Sequence, residues 1–125
     1  GMRTLLVDWL RERLRQAAER LLPALAGEMD TDFTALRIGC QRSRWGSCSR
    51  HGTVSLNCCL LFQRPEVLRY LLVHELAHRR HMNHGARFWR LVERHEPAWR
   101  VLDRELSRGW RQVPGWIFAR AEGTR

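Results

Sequence analysis

Length, composition and charge describe a small, basic chain. It has 125 residues and a formal net charge of +9, which suffices for one domain, predicted over residues 2–125, and leaves no room for a second. No apolar stretch approaches the roughly 18 residues that span a bilayer, and the N-terminus lacks the parts of a signal peptide. We expect a monomer in the cytoplasm with no membrane partner.

The first element is a helix. From Thr4 to about Leu22, apolar residues recur at intervals of three and four, with arginine and glutamate between them, which is typical of an amphipathic helix. Pro23 and Gly27 then disturb this periodicity, and the polar residues 30–32 mark a loop. We predict that the helix ends near Leu22.

Three short extended segments follow. They cover about residues 35–41, 44–49 and 53–57, and Gly52 supplies the turn between the last two. This pattern predicts a hairpin inside a small antiparallel sheet. Together with the helices on either side, it indicates an α+β fold.

Three helices are predicted in the second half of the chain. The first has Pro65 at its first position and covers about residues 65–81. The second covers about residues 86–95 and the third about residues 97–107, with breaks between them at asparagine, glycine and proline. The C-terminal tail is predicted to be irregular but partly packed.

The segment from His74 to His78 matches the motif H-E-x-x-H. On a helix, residues i and i+4 share a face, so the two imidazoles can converge on one metal ion. Glu75 is turned by about 100° from His74, so its carboxylate passes the ion and can take a proton from the attacking water. The pattern indicates a metallopeptidase with Zn²⁺ as cofactor and a peptide or protein as substrate.

A catalytic zinc usually has a third protein ligand and one open position. His84 follows the helix break and can fold back toward the metal, while Glu93 or Glu96 on the next helix could also serve. His81 shares the helical face but lies about 10.5 Å from His74 along the axis. Geometry favours His84, then the glutamates, then His81.

Several segments resemble the YgjP-like metallopeptidase family. They are S-R-W-G-S-C-S at 43–49, G-T-V-S-L-N at 52–57, Y-L-L-V-H-E-L-A-H at 70–78 and N-H-G-A-R-F-W at 83–89. Their order and spacing agree with the family, and the resemblance covers about residues 9–106. The chain departs from the family at Gly85, where members often have serine. Members also commonly carry an additional N-terminal β-rich region.

That family is similar to the SprT and WLM protease domains, which implies a zincin-like fold with zinc held by three histidines. Carried over by position, His74, His78 and His84 are the metal ligands, and Glu75 is the general base. The expected architecture is a minimal metallopeptidase: an N-terminal helix, a small antiparallel sheet, an active-site helix and further C-terminal helices.

Trp45, Gly46, Ser47 and Cys48 are candidates for substrate binding. The hairpin puts this strand just before the one that leads toward the metal helix, so we predict an exposed edge strand that pairs with an extended peptide. Gly46 agrees with this, because glycine inside a strand often marks close approach by another backbone. The alternative is that Trp45 only anchors the hairpin and Gly46 only relieves crowding.

Tyr70 precedes His74 by four residues and lies on the same helical face. It could stabilise an oxyanion or hold the helix against the sheet, and packing is the favoured interpretation.

The charge suggests a function of another class. All 22 basic residues are arginine, against 13 acids, and such a field favours acidic partners, including nucleic acid contacted through the arginine-rich surface. The alternative function is a basic nucleic-acid-binding module with a structural zinc site, or a protease acting on DNA-associated proteins. A structural site would be closed by four ligands, commonly including cysteine. The four cysteines form no C-x-x-C pair and are expected to be buried thiols.

Overall fold

Four α-helices and one three-stranded sheet form the computed structural model, which describes residues 1–118. This confirms the predicted α+β class. Residues 119–125 of the predicted domain lie outside the described part. The elements are α1 (Met2–Glu28), β1 (Ala35–Gly39), β2 (Gly46–Cys48), β3 (Thr53–Asn57), α2 (Pro65–Ala77), α3 (Ala86–His95) and α4 (Trp99–Arg108). Short 3₁₀ helices at Cys58–Phe62, Gly109–Gln112 and Gly115–Phe118 were not predicted.

Helix α1 continues through Pro23, where the sequence predicted its end. A proline inside a helix costs about 3 kcal/mol. The buried stripe continues past it, however, with Leu22 fully buried and Leu25 and Ala26 nearly so, and this stripe packs against α2 and the Cys58–Phe62 segment. Burial of these side chains offsets the loss of one helical hydrogen bond.

The sheet is mixed, which corrects the prediction of an antiparallel sheet. Its order is β1-β3-β2, with β2 antiparallel to β3 as predicted, but β1 parallel to β3. The link between β1 and β2 crosses the end of β3, where the side chain of Asn57 donates hydrogen bonds to the carbonyls of Gln41 and Arg44. This buried amide holds the link in place and leaves β2 at the edge of the sheet.

One face of the sheet is apolar and the other is polar. Val54 and Leu56 are buried against the helices, whereas Arg37, Ser47 and Ser55 share the outer face, because Ser55 is in register with both of the others. Helix α2 lies at the centre of the molecule and contacts α1, α3, α4 and β2. Within residues 1–118, no helix is both long and apolar enough to cross a membrane.

Candidate metal centre

Three histidine side chains converge at the C-terminal end of α2. His74 lies in its last turn, His78 is the residue that caps it, and His84 lies in the loop before α3. One ring nitrogen from each lies within 4.8 Å of the others, and the Nε2 atoms of His74 and His84 are 3.3 Å apart. Helix α2 ends at Ala77, earlier than predicted, and this lets the chain turn back and bring His84 beside His74.

The other ring nitrogen of two of these histidines has a hydrogen-bond partner. Nδ1 of His78 lies 3.2 Å from the carbonyl oxygen of His81. Nδ1 of His74 lies 3.3 Å from the hydroxyl oxygen of Tyr70, and that hydroxyl donates to Asp103 at 2.8 Å. Both partners accept from an Nδ1–H group, so the neutral tautomer leaves Nε2 with its lone pair toward the cluster.

Aromatic side chains form the wall behind the imidazoles. Phe88, fully buried at the start of α3, has its ring centroid 5.0 Å from that of His74, 4.6 Å from that of His78 and 4.8 Å from that of His84. Trp89 packs against His74 and His84. These rings fix the imidazole orientations and exclude water from behind the cluster.

Glu75 borders the same cavity of about 220 Å³ as the three histidines. Burial raises its pKa to about 8, and Arg44 opposes this rise. Burial and the neighbouring imidazoles lower the pKa of His74 to about 3, and burial and His84 lower that of His78. His74 is therefore neutral at physiological pH, which is the form that binds a metal.

The donor set fits Zn²⁺. Two imidazole nitrogens bound at 2.0–2.1 Å to a tetrahedral zinc are separated by about 3.3 Å, and this is the distance between the Nε2 atoms of His74 and His84. Three histidines also leave a fourth position toward the open cavity, as catalytic zinc sites do.

The other candidates for a third ligand lie elsewhere. Glu93 accepts hydrogen bonds from Trp99 and Arg100, and Glu96 is paired with Arg69. His81 contributes its main-chain carbonyl to His78. Among the described residues, the histidine group that could hold an ion consists of His74, His78 and His84.

Strand β2 forms one wall of this cavity. Gly46, Ser47 and Cys48 all line it, and β2 pairs with β3 on one side only among residues 1–118. Trp45 lies away from the cavity, with its ring stacked on Trp110 at a centroid distance of 4.0 Å. Trp45 therefore anchors the strand to the C-terminal segment.

Gly46 lets α2 approach the sheet. A Cβ atom there would lie 3.1 Å from the carbonyl oxygen of Ser55, 3.2 Å from Cδ2 of Leu71 and 3.5 Å from the carboxylate of Glu75. The close neighbours of this glycine are thus the backbone of β3 and two side chains of helix α2, whereas the sequence argument expected the backbone of a substrate.

Several residues at the site were not singled out from the sequence. Asp103, Arg44, Met82 and Phe88 were not proposed as site residues. No sequence pattern links Asp103 to Tyr70, because 33 residues separate them. Arg44 belongs to the R-W-G-S-C segment, and this was the one signal that could have drawn attention to it.

Two solved metallopeptidase structures resemble this chain. The fold is similar to that of the metallopeptidase zymogen of Pyrococcus abyssi abylysin, at 28% identity and a TM-score of 0.65, over 73% of this chain and 93% of that one. It is also similar to the metallopeptidase zymogen of Methanocaldococcus jannaschii jannalysin, at 18% identity and a TM-score of 0.62, over 72% and 93% of the two chains. The second likeness shows the fold alone.

The chain is a metallopeptidase. The family description "YgjP-like, metallopeptidase domain" matches residues 1–109, so the chain belongs to the YgjP-like metallopeptidase family, as its sequence motifs predicted. No curated protein sequence matches it significantly.

Proposed function

We propose that this metallopeptidase is zinc-dependent, with His74, His78 and His84 as ligands and Glu75 as general base. The observation that carries the proposal is the convergence of the three imidazoles beside a buried carboxylate in one open cavity. A bound Zn²⁺ would supply Lewis acidity toward the scissile carbonyl and the attacking water. A structural zinc site in a nucleic-acid-binding module is less consistent with this arrangement, because three histidines leave one position open.

In its ionised form, Glu75 takes the proton from the attacking water and delivers it to the nitrogen of the leaving amine. Burial raises the pKa of Glu75, and the positive charge of a bound Zn²⁺ would favour the ionised form. The position of Glu75 supports this role: the side chain is buried but borders the cavity, and Gly46 leaves room for its carboxylate. Its buried surroundings strengthen its interaction with a charge that develops nearby.

The free edge of β2 holds the peptide. Asn57 donates to the carbonyl of Trp45, and the amide of Ser49 donates to the carbonyl of Thr53. Ser47, midway between these two hydrogen-bonded pairs, also directs its main-chain groups toward β3, because hydrogen-bonded and non-hydrogen-bonded pairs alternate in antiparallel strands. The N–H and C=O groups of Gly46 and Cys48 consequently point outward and are free to pair with a substrate backbone.

Replacing Glu75 with glutamine tests the mechanism. The amide keeps the shape but accepts a proton poorly, so we expect peptide hydrolysis to fall by about 10²- to 10⁴-fold, while zinc content measured by atomic absorption stays at the parent's level. Glu66→Gln, at an exposed position in the first turn of the same helix, is the matched control and should keep full activity. Undiminished hydrolysis by the zinc-loaded Glu75→Gln protein would contradict the proposal.

A further inference from the structure

A second polar cavity adjoins the candidate metal centre across strand β2. Its volume is about 390 Å³, and it shares Arg44, Ser47 and Cys48 with the cavity that holds the histidines. The remaining lining is the polar outer face of the sheet, with Arg37, Ser49, Thr53 and Ser55. We propose that this arginine-hydroxyl groove binds an acidic side chain of the peptide substrate, which makes Arg37 and Arg44 determinants of specificity.

Charge and hydrogen-bond donors favour an anion here. Arg37 and Arg44 are both exposed, and neither forms a salt bridge with an acid among residues 1–118. Between them, the hydroxyls of Ser47, Ser55 and Thr53 line the groove. Guanidinium groups and hydroxyls together supply donors for both oxygens of a carboxylate.

Strand alternation directs a substrate side chain into the groove. Ser47 and Ser55 lie in register on the outer face, whereas a Cβ at Gly46 would point toward α2 and Glu75. A peptide paired with the free edge of β2 has the same alternation. Its residue opposite Ser47 therefore points to the outer face, and residues one position away point toward the metal centre.

The distances involved are within reach. Neighbouring strands are about 4.8 Å apart, so a glutamate opposite Ser47 can extend its carboxylate above that serine. Arg44 immediately precedes β2 and lines both cavities. Arg37 lies on β1, two strands away from β2, in register with Ser55, and lines the same groove as Arg44. A single glutamate close to the scissile bond thus meets both arginines.

This inference rests on the proposed peptidase function, and the experiment separates the two. A set of otherwise identical peptides carries glutamate or glutamine at each position around the cleaved bond, and kcat/KM is measured for the zinc-loaded parent, for Arg37→Gln and for Arg20→Gln. Arg20 is an exposed arginine of α1 that lines neither cavity. Its replacement therefore removes one positive charge, as Arg37→Gln does, but leaves the groove unchanged.

At one peptide position, we expect the parent to prefer glutamate over glutamine by about two- to five-fold, the upper part of the range for exposed ion pairs. Arg37→Gln should lower this preference, because only Arg44 then faces the glutamate, and should still cleave the glutamine peptide at the parent's rate, while Arg20→Gln keeps the preference. Equal preference in the two variants would show long-range attraction only and overturn the inference, as would a parent with no preference at any position.

Binding provides the readout that does not depend on turnover. If no peptide is cleaved, the proposed function fails, and anisotropy of fluorescent glutamate and glutamine peptides on the Glu75→Gln protein still tests the groove. Tighter binding of the glutamate peptide, reduced in Glu75→Gln/Arg37→Gln, supports it. A short single-stranded oligonucleotide is added as a competitor. If it displaces the glutamate peptide, and this displacement requires Arg37, the groove binds phosphodiesters and the inference is overturned.

Discussion

The hydrogen-bonded chain from Asp103 through Tyr70 to His74 gives a quantitative prediction. Tyr70 is fully buried, and its hydroxyl donates to Asp103 at 2.8 Å and lies 3.3 Å from Nδ1 of His74. Tyr70→Phe keeps the ring and removes both contacts. Groups that orient a metal-binding histidine typically account for 10- to 100-fold in metal affinity, so the zinc Kd should rise by about that factor, or about 1.4 to 2.8 kcal/mol.

The measurement is competition for Zn²⁺ with a chromophoric chelator, together with the visible spectrum of the Co²⁺-loaded protein, which reports ligand geometry. Tyr70→Phe also loses a buried hydrogen bond to a carboxylate, which costs about 1.5 to 3 kcal/mol of folding free energy. Leu106→Val in α4, which packs against α2, lowers stability by about 1 kcal/mol and controls for this effect. If Tyr70→Phe and Leu106→Val both bound zinc like the parent, the orienting role of Tyr70 would be refuted.

Two further substitutions test the site. His84→Ala should weaken zinc binding at least 100-fold, because it removes a ligand, and should abolish the rise in Tm that zinc gives. The control, His81→Ala, keeps its main-chain carbonyl and should bind zinc within about three-fold of the parent. Equal zinc affinities in the two variants would contradict the choice of His84. Gly46→Ala should cost about 1 to 3 kcal/mol of stability through crowding against α2, and it should lower kcat more than it raises KM, because Glu75 is displaced. The control is Gly85→Ala, where a Cβ meets nothing within 4 Å. Kinetic and thermal-unfolding assays that gave Gly46→Ala the parent's kcat and Tm would refute this prediction.

Hydrophobic stripes and capping signals predicted most elements but not where each one stops. Pro65 marked the start of α2 correctly, and α3 has the predicted bounds. The continuation of α1 through Pro23 could not be predicted, because the tertiary burial of Leu22 and Leu25 outweighs the local cost of proline. The parallel pairing of β1 was also missed, since it depends on Asn57 holding the link between β1 and β2.

The sequence by itself determined the metallopeptidase family and the pairing of His74 with His78 around Glu75. It could do so because the period of the α-helix fixes which residues share a face, so that a spacing of four residues places two side chains next to each other. Only the tertiary structure decided how His84, Asp103 and Arg44 lie relative to that helix, because contacts between distant segments depend on how helices and strands pack, and no local period encodes them. For the same reason, the side-chain directions on β2, with Gly46 against α2 and Ser47 on the outer face, emerged from the register of the sheet.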